Sequence, residues 1–334
     1  MTLVTKTVVA ACALSLAGLT ALALAQTGPQ ADVEATRARL KALGSRAVPA
    51  HDPSTVVRCG DEYWFFATGN GLPSYHSKDL VSWTPGPPIF EKRPAWVEAT
   101  VPAHRGIGFW APDVAKVGDR YLVYYSASTF GKNASGIGLV WNKTLDPTAP
   151  DFEWHDEGLV VASKGGGDFN AIDPAVLDDG RKGLWLTFGS FWSGIKIVRL
   201  DPKTGKRQGD AMKGLAYHGT IEAPYVYKHK GSYYLFVNWG FCCRGDDSTY
   251  EIRVGRSDRP DGPYLDRSGR DLMKDGGTPF FATDGPMNGP GHAGIVTKNG
   301  KEWLGFHFYD PTNRGRGTYG TRPLKWDAGG WPTL

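Results

Sequence analysis

The sequence predicts an all-β fold, a five-bladed β-propeller with an active site at one mouth of its central channel, and three observations carry that prediction. A hairpin motif recurs five times along the chain. The composition is rich in turn and ring residues, with 44 Gly, 12 Trp, 14 Tyr and 15 Phe. No long amphipathic helical pattern is available to cover a sheet. Aromatic residues fill cores of every kind, so the repeat decides.

The N-terminus lies outside the repeats. Lys6 precedes an apolar run from Val8 to Leu19, which is too short to span a bilayer. The run closes on Ala23-Leu24-Ala25, small residues of the kind a signal peptidase reads. Residues 1–25 are therefore expected to be a secretory signal peptide. Residues 26–47 read as a polar leader with a weak helical patch at Val33–Leu43. The propeller is expected over residues 48–334.

The five repeats follow. His51-Asp52-Pro53-Ser54 leads through a Gly60-Asp61 turn to Glu62–Ala67, and Ala111-Pro112-Asp113 leads through Gly118-Asp119 to Arg120–Tyr125. Ile172-Asp173-Pro174 is followed by Asp179-Gly180 and Gly183–Phe188, and Glu222-Ala223-Pro224 by Lys230-Gly231 and Ser232–Phe236. The fifth copy runs from Gly291-His292-Ala293-Gly294 through Asn299-Gly300 to Glu302–Phe306. Each reads as a short strand, a tight turn and a second, apolar strand. Further strands are expected at Ile137–Trp141, Ile195–Leu200 and Glu251–Arg256. The spacing of about 50–70 residues leaves room for loops beyond a minimal blade. Hairpin repeats do not by themselves specify closure, so a two-sheet sandwich is the rival architecture.

Charge and cysteine content narrow the function. The net charge of +4 is interspersed, without the Lys/Arg blocks of a nucleic-acid or membrane surface. Gly165-Gly166-Gly167 lacks the Lys-Ser/Thr of a phosphate loop. Outside the signal, Cys59, Cys242 and Cys243 form neither a disulfide framework nor a zinc-ligand spacing. Adjacent Cys242 and Cys243 leave two readings open: a vicinal disulfide making a rigid apolar bump near the substrate, or two free thiols. Cys59 is expected to be buried in the first blade.

The chemistry sits at the strand starts. In a propeller the innermost strand of each blade lines the channel, so Asp52, Asp113, Asp173, Glu222 and His292 are expected to converge there. Glycoside hydrolysis needs such a set: one carboxylic acid protonates the leaving oxygen and one carboxylate activates water or attacks the sugar. Crowded carboxylates also push one pKa upward. Asp113 is the weakest member because it follows its proline instead of preceding it. Singly, each residue also reads as ordinary turn chemistry.

These motifs resemble those of glycoside hydrolase family 43. The segments carrying the resemblance are His51-Asp52-Pro53-Ser54, Phe109-Trp110-Ala111-Pro112-Asp113, Ala171-Ile172-Asp173-Pro174 and Ile221-Glu222-Ala223-Pro224-Tyr225. Ser77-Lys78-Asp79-Leu80 is a further match to the family. Gly189-Ser190-Phe191-Trp192, Cys242-Cys243-Arg244-Gly245 with Ser248-Thr249-Tyr250, Gly291-His292-Ala293-Gly294 and Gly330-Trp331-Pro332 point to its endo-1,5-α-L-arabinanase branch. The resemblance implies that Asp52 is the general base, Glu222 the general acid, and Asp173 the carboxylate that tunes and orients the acid. It implies inversion at the anomeric carbon, with roughly 6.5–9.5 Å between the Asp52 and Glu222 carboxyls. It also implies a calcium ion at the axis, held largely through water, with His292 beside it.

Phe109, Trp110, Phe191 and Trp192 are candidates to stack on sugar rings, and Asn170 and Ser190 to bond hydroxyls. The expected partner is a polysaccharide, arabinan, without nucleic acid, membrane or organic cofactor, and the expected protein is a secreted monomer. Exo-attack on the same scaffold and a non-catalytic sugar-binding propeller are the competing readings.

Overall fold

The computed structural model describes residues 48–334, apart from the side chain of Arg181. The expected signal peptide, leader and Val33–Leu43 patch lie outside the described residues. Five antiparallel sheets follow in chain order. Blade 1 comprises Val57–Cys59, Glu62–Phe66, Ser74–Ser77 and Thr84–Pro85. Blade 2 is Gly108–Val117, Arg120–Ala127, Ser135–Asn142 and His155–Ser163, with Gly69–Asn70 added to its innermost strand. Blade 3 comprises Ala175–Asp178, Leu184–Phe188, Ile195–Leu200 and Lys213–Ala216. Blade 4 comprises Glu222–His229, Ser232–Trp239, Glu251–Ser257 and Thr278–Phe281.

Blade 5 takes strands from both ends of the described chain. Asn288–Lys298, Lys301–Asp310 and Arg316–Trp326 supply three, Val48–Pro49 supplies a fourth by pairing Val48 with Tyr319 and Pro49 with Thr318, and the short Pro332–Thr333 pairs the far end of Arg316–Trp326. This closes the ring, which decides for the propeller against the two-sheet sandwich that the hairpin repeats alone left open. One six-residue helix, Ala95–Thr100, interrupts the connection from blade 1 to blade 2.

The core explains why the second strand of each repeat reads as a continuous apolar run. Successive residues of a strand face opposite sides of its sheet. In Arg120–Ala127, Tyr121, Val123 and Tyr125 pack toward blade 1 while Leu122 and Tyr124 pack toward blade 3. In Ser232–Trp239, Tyr233, Leu235 and Val237 face blade 3, and Tyr234 and Phe236 face blade 5. Among the described residues, five apolar clusters result, one between each pair of neighbouring blades including the fifth and first. Each fully buried large side chain contributes about 1.5–3 kcal/mol.

Near the axis the inner strands approach closely. A Cβ on Gly294 of blade 5 would lie 3.1 Å from Thr55 Cα at the entry to blade 1. Asp113 sits in this layer, accepting the N–H of Thr55 at 2.9 Å and of Val176 at 2.8 Å. It thereby ties blade 2 to blades 1 and 3 and does not line the groove. Its supporting place agrees with its position after Pro112.

Candidate active site

Five non-glycine residues repeat one backbone conformation at the mouth of the channel. Asp52, Ala111, Asp173, Ala223 and His292 have φ of 47°, 42°, 56°, 51° and 59°. Four precede a proline. Left-handed backbone costs an L-residue about 1–2 kcal/mol, so its recurrence at one phase marks an enforced kink. The kink sharpens the expected alignment. Asp52, Asp173 and His292 are equivalent, whereas Glu222 stands one residue before its kink and Asp113 two after. Glu222 is thus the counterpart of His51, Trp110 and Ile172, and all four line one groove with Asp52 and Asp173. Its volume is about 770 Å³, within the roughly 300–1,000 Å³ of ligand sites and large enough for several sugar units.

Asp52 is dressed as an ionised carboxylate. Its Oδ2 lies 2.8 Å from His51 Nδ1 and accepts the Thr68 hydroxyl at 2.7 Å. Its Oδ1 lies 3.2 Å from His292 Nδ1. The Thr68 oxygen accepts the Ala111 N–H at 2.8 Å, which leaves its own proton for Asp52. Burial alone would raise the pKa, but the imidazoles of His51 and His292 hold it well below the usual carboxylate range.

Glu222 is in the opposite condition. Burial first, and the neighbouring Asp173 charge second, push its pKa up to about 8, although the Ser190 hydroxyl bonded to Oε2 at 2.8 Å works against that rise. The Tyr250 hydroxyl donates to Oε1. Asp173 is raised to about 6, chiefly by burial. Its Oδ2 accepts the Ala223 N–H at 3.1 Å, and its own N–H donates to Ser126 Oγ at 3.0 Å. Near neutral pH the groove therefore holds a carboxylate at Asp52 and a carboxylic acid at Glu222, the division of labour that acid–base chemistry requires.

The sugar-contact candidates divide. Trp110, Asn170, Ser190, Phe191 and Trp192 line the groove. Phe109 does not: it is fully buried between blades 1 and 2, stacked on His104. Phe109 and Trp110 are neighbours on one strand and must face opposite ways. Phe191 and Trp192 escape that rule because both occupy left-handed turn positions, φ 49° and 36°. Ser190 is committed to Glu222, and Asn170 Oδ1 accepts from Ser135 at 2.7 Å. Sequence reasoning missed Phe130, 77 % exposed on the rim, and Phe241 opposite Phe191. It also missed the roles of Thr68, His307 and Tyr309, which depend on cross-blade contacts that carry no sequence signal.

The family resemblance implies calcium beside His292, held largely through water, so the side chains alone need not enclose it. His292 meets Asp52, whose two oxygens already engage Thr68, His51 and His292. Among the described residues, the set whose ligand atoms lie within 4.8 Å of one another is His51, Asp52 and His307, two imidazoles and one carboxylate. Calcium takes six to eight oxygen ligands, so these three side chains do not form a direct calcium cage, and no step below passes through one. Among the three carboxylates His292 is itself the balancing charge: burial opposes it, but Asp52 and then Asp173 raise its pKa to about 9.

Cys242 and Cys243 are joined as a vicinal disulfide in the groove wall, which selects the first of the two open readings. Cys59 is a free thiol and only half-buried, packed where blade 1 meets blade 2, with Sγ accepting the Leu145 N–H at 3.3 Å. It is therefore less enclosed than expected.

Known proteins with this arrangement are similar across the whole domain. Residues 47–332 match the family described as "Glycosyl hydrolases family 43". The extracellular exo-α-(1→5)-L-arabinofuranosidase ArbA of Cellvibrio japonicus is 38% identical over 308 residues, 88% of this chain and 88% of that protein. The extracellular endo-α-(1→5)-L-arabinanase 1 of Bacillus subtilis is 38% identical over 290 residues, 85% of this chain and 87% of that protein. The crystal structure of an exo-1,5-α-L-arabinanase from a bovine ruminal metagenomic library superposes with a TM-score of 0.82 at 40% identity, covering 86% of this chain and 97% of that one. With its five blades and carboxylate-lined groove, the chain belongs to glycosyl hydrolases family 43 and is a glycoside hydrolase.

Proposed function

We propose that the protein hydrolyses α-1,5-linked L-arabinan by endo-attack with inversion, and that it does so outside the cytoplasm after removal of its N-terminal signal. The observation that carries the mechanism is the separation of Asp52 and Glu222 into opposite protonation states within one groove. Asp52 takes a proton from water as the water oxygen bonds to the anomeric carbon. Glu222 gives its proton to the glycosidic oxygen as the carbon–oxygen bond on the other face breaks. Asp173 keeps Glu222 protonated through its charge and fixes the start of the Glu222 strand through the Ala223 N–H.

The substrate assignment rests on relatives named for α-1,5-arabinan. Those relatives divide between exo and endo names, and the exo reading is favoured by the Cellvibrio and rumen proteins. The endo reading is supported by the motif resemblance and by exposed rings around the groove, Phe130, Trp192 and Phe241 at 77, 39 and 39% exposure. Among the described residues no helix is long and apolar enough to cross a membrane.

The product profile on debranched arabinan tests the mode of attack. Endo-cleavage gives an early ladder of oligosaccharides; release of only monomer or one fixed oligomer overturns it in favour of exo-attack. Proton NMR of the first products tests inversion. Glu222→Ala is expected to lower kcat by about 10²–10⁴-fold, and native turnover in that variant would remove Glu222 from the acid's role.

A further inference from the structure

Asp52 Oδ2 faces His51 Nδ1, and the other nitrogen of that ring, Nε2, lies 2.8 Å from the Tyr309 hydroxyl. That hydroxyl oxygen accepts the Cys243 N–H at 2.7 Å. The donor order follows from the ends of the chain. With its oxygen taken by Cys243, Tyr309 turns its own proton toward Nε2, which leaves the Nδ1 proton for Asp52. The reverse tautomer would set a lone pair against the carboxylate.

The amide that starts this chain lies in the peptide between Cys242 and Cys243, whose Cα atoms are 3.8 Å apart and whose side chains the disulfide closes into a small ring. The ring restrains the direction of that N–H, and Cys243 is left-handed at φ 65°. Tyr309 is buried, its ring edge-on to His307, which accepts the Asp52 N–H at 3.1 Å.

We propose that the Cys242–Cys243 disulfide and Tyr309 form a positioning unit for the general base, acting through His51 to hold Asp52 in the orientation that takes a proton from water. This rests on Asp52 being the base, as proposed above. A small dithiol opens the unit by supplying two electrons and two protons: the S–S bond breaks, two thiols form, and the reagent becomes its own disulfide. Cys59 is the only other cysteine among the described residues and is already a free thiol. The reagent thus has one target there.

The test measures kcat and KM of the full secreted protein on debranched 1,5-arabinan, native and Tyr309→Phe, each with and without dithiol, beside Asp52→Asn. Reduction and Tyr309→Phe are each expected to lower kcat about tenfold or more with KM changed less than about twofold. Reduced Tyr309→Phe should be no slower than unreduced Tyr309→Phe, because both changes break one chain. Unchanged kcat on reduction, or two losses that multiply, overturns the proposal. If Tyr309→Phe fails to fold, as read by its thermal unfolding, the native enzyme's response to dithiol decides alone. Native turnover in Asp52→Asn would instead overturn the base assignment. An inactive Asp52→Asn beside a fully active Tyr309→Phe sinks the positioning unit only.

Discussion

The Glu222 carboxyl receives two hydroxyl protons, from Ser190 and Tyr250, yet it stays protonated because burial and the Asp173 charge outweigh them. The sign of each contribution makes the pH profile informative. With Glu222 as the proposed acid, hydrolysis needs it protonated, so kcat/KM is expected to fall as pH rises through about 8. Ser190 favours the charged form, and Ser190→Ala should move this alkaline limb upward, by up to about one pH unit for one charge-assisted hydrogen bond. A limb that stays in place or moves down would show that Ser190 does not tune the acid. Stability follows the same proton in the same direction as activity. A carboxyl raised in the folded state contributes fully below its unfolded pKa, near 4.5, and that contribution is lost as pH rises toward 8.

At the scale of strands, the five kinks explain what could be read in advance. The Asp52-Pro53, Ala111-Pro112, Asp173-Pro174 and Ala223-Pro224 steps are visible in the chain, so the blades and the carboxylates that flank the kinks were legible there. The one-residue offset of Glu222 was not, because phase within a kink depends on backbone torsion. Nor was the inward turn of Phe109, which follows from strand alternation only once the register is known. Asp113 tests the distinction between the site and its support. Asp113→Ala leaves the N–H groups of Thr55 and Val176 without an acceptor. The expected cost is about 2–5 kcal/mol in chemical denaturation, with the alkaline limb of kcat/KM unmoved. A shifted limb at unchanged stability would return Asp113 to the catalytic set.

For the molecule as a whole, closure depends on two residues, Val48 and Pro49, laid against Arg316–Trp326. A chain beginning at Ala50 exposes that strand edge, whereas one beginning at Ala47 covers it. The shorter chain is expected to unfold at least about 2–4 °C earlier, the shift that ~1 kcal/mol produces in a large domain, and to associate through the open edge. Equal unfolding temperatures and monodisperse behaviour would show that the closing pair is dispensable. Because blade 5 holds strands from both ends, its completion also sets a time. Asp52 emerges early in synthesis, but His292, His307 and Tyr309, which surround it, belong to the last 43 residues. A half-made chain therefore carries Asp52 with only His51 and Thr68 beside it, and the site comes into being only when the final strands have arrived.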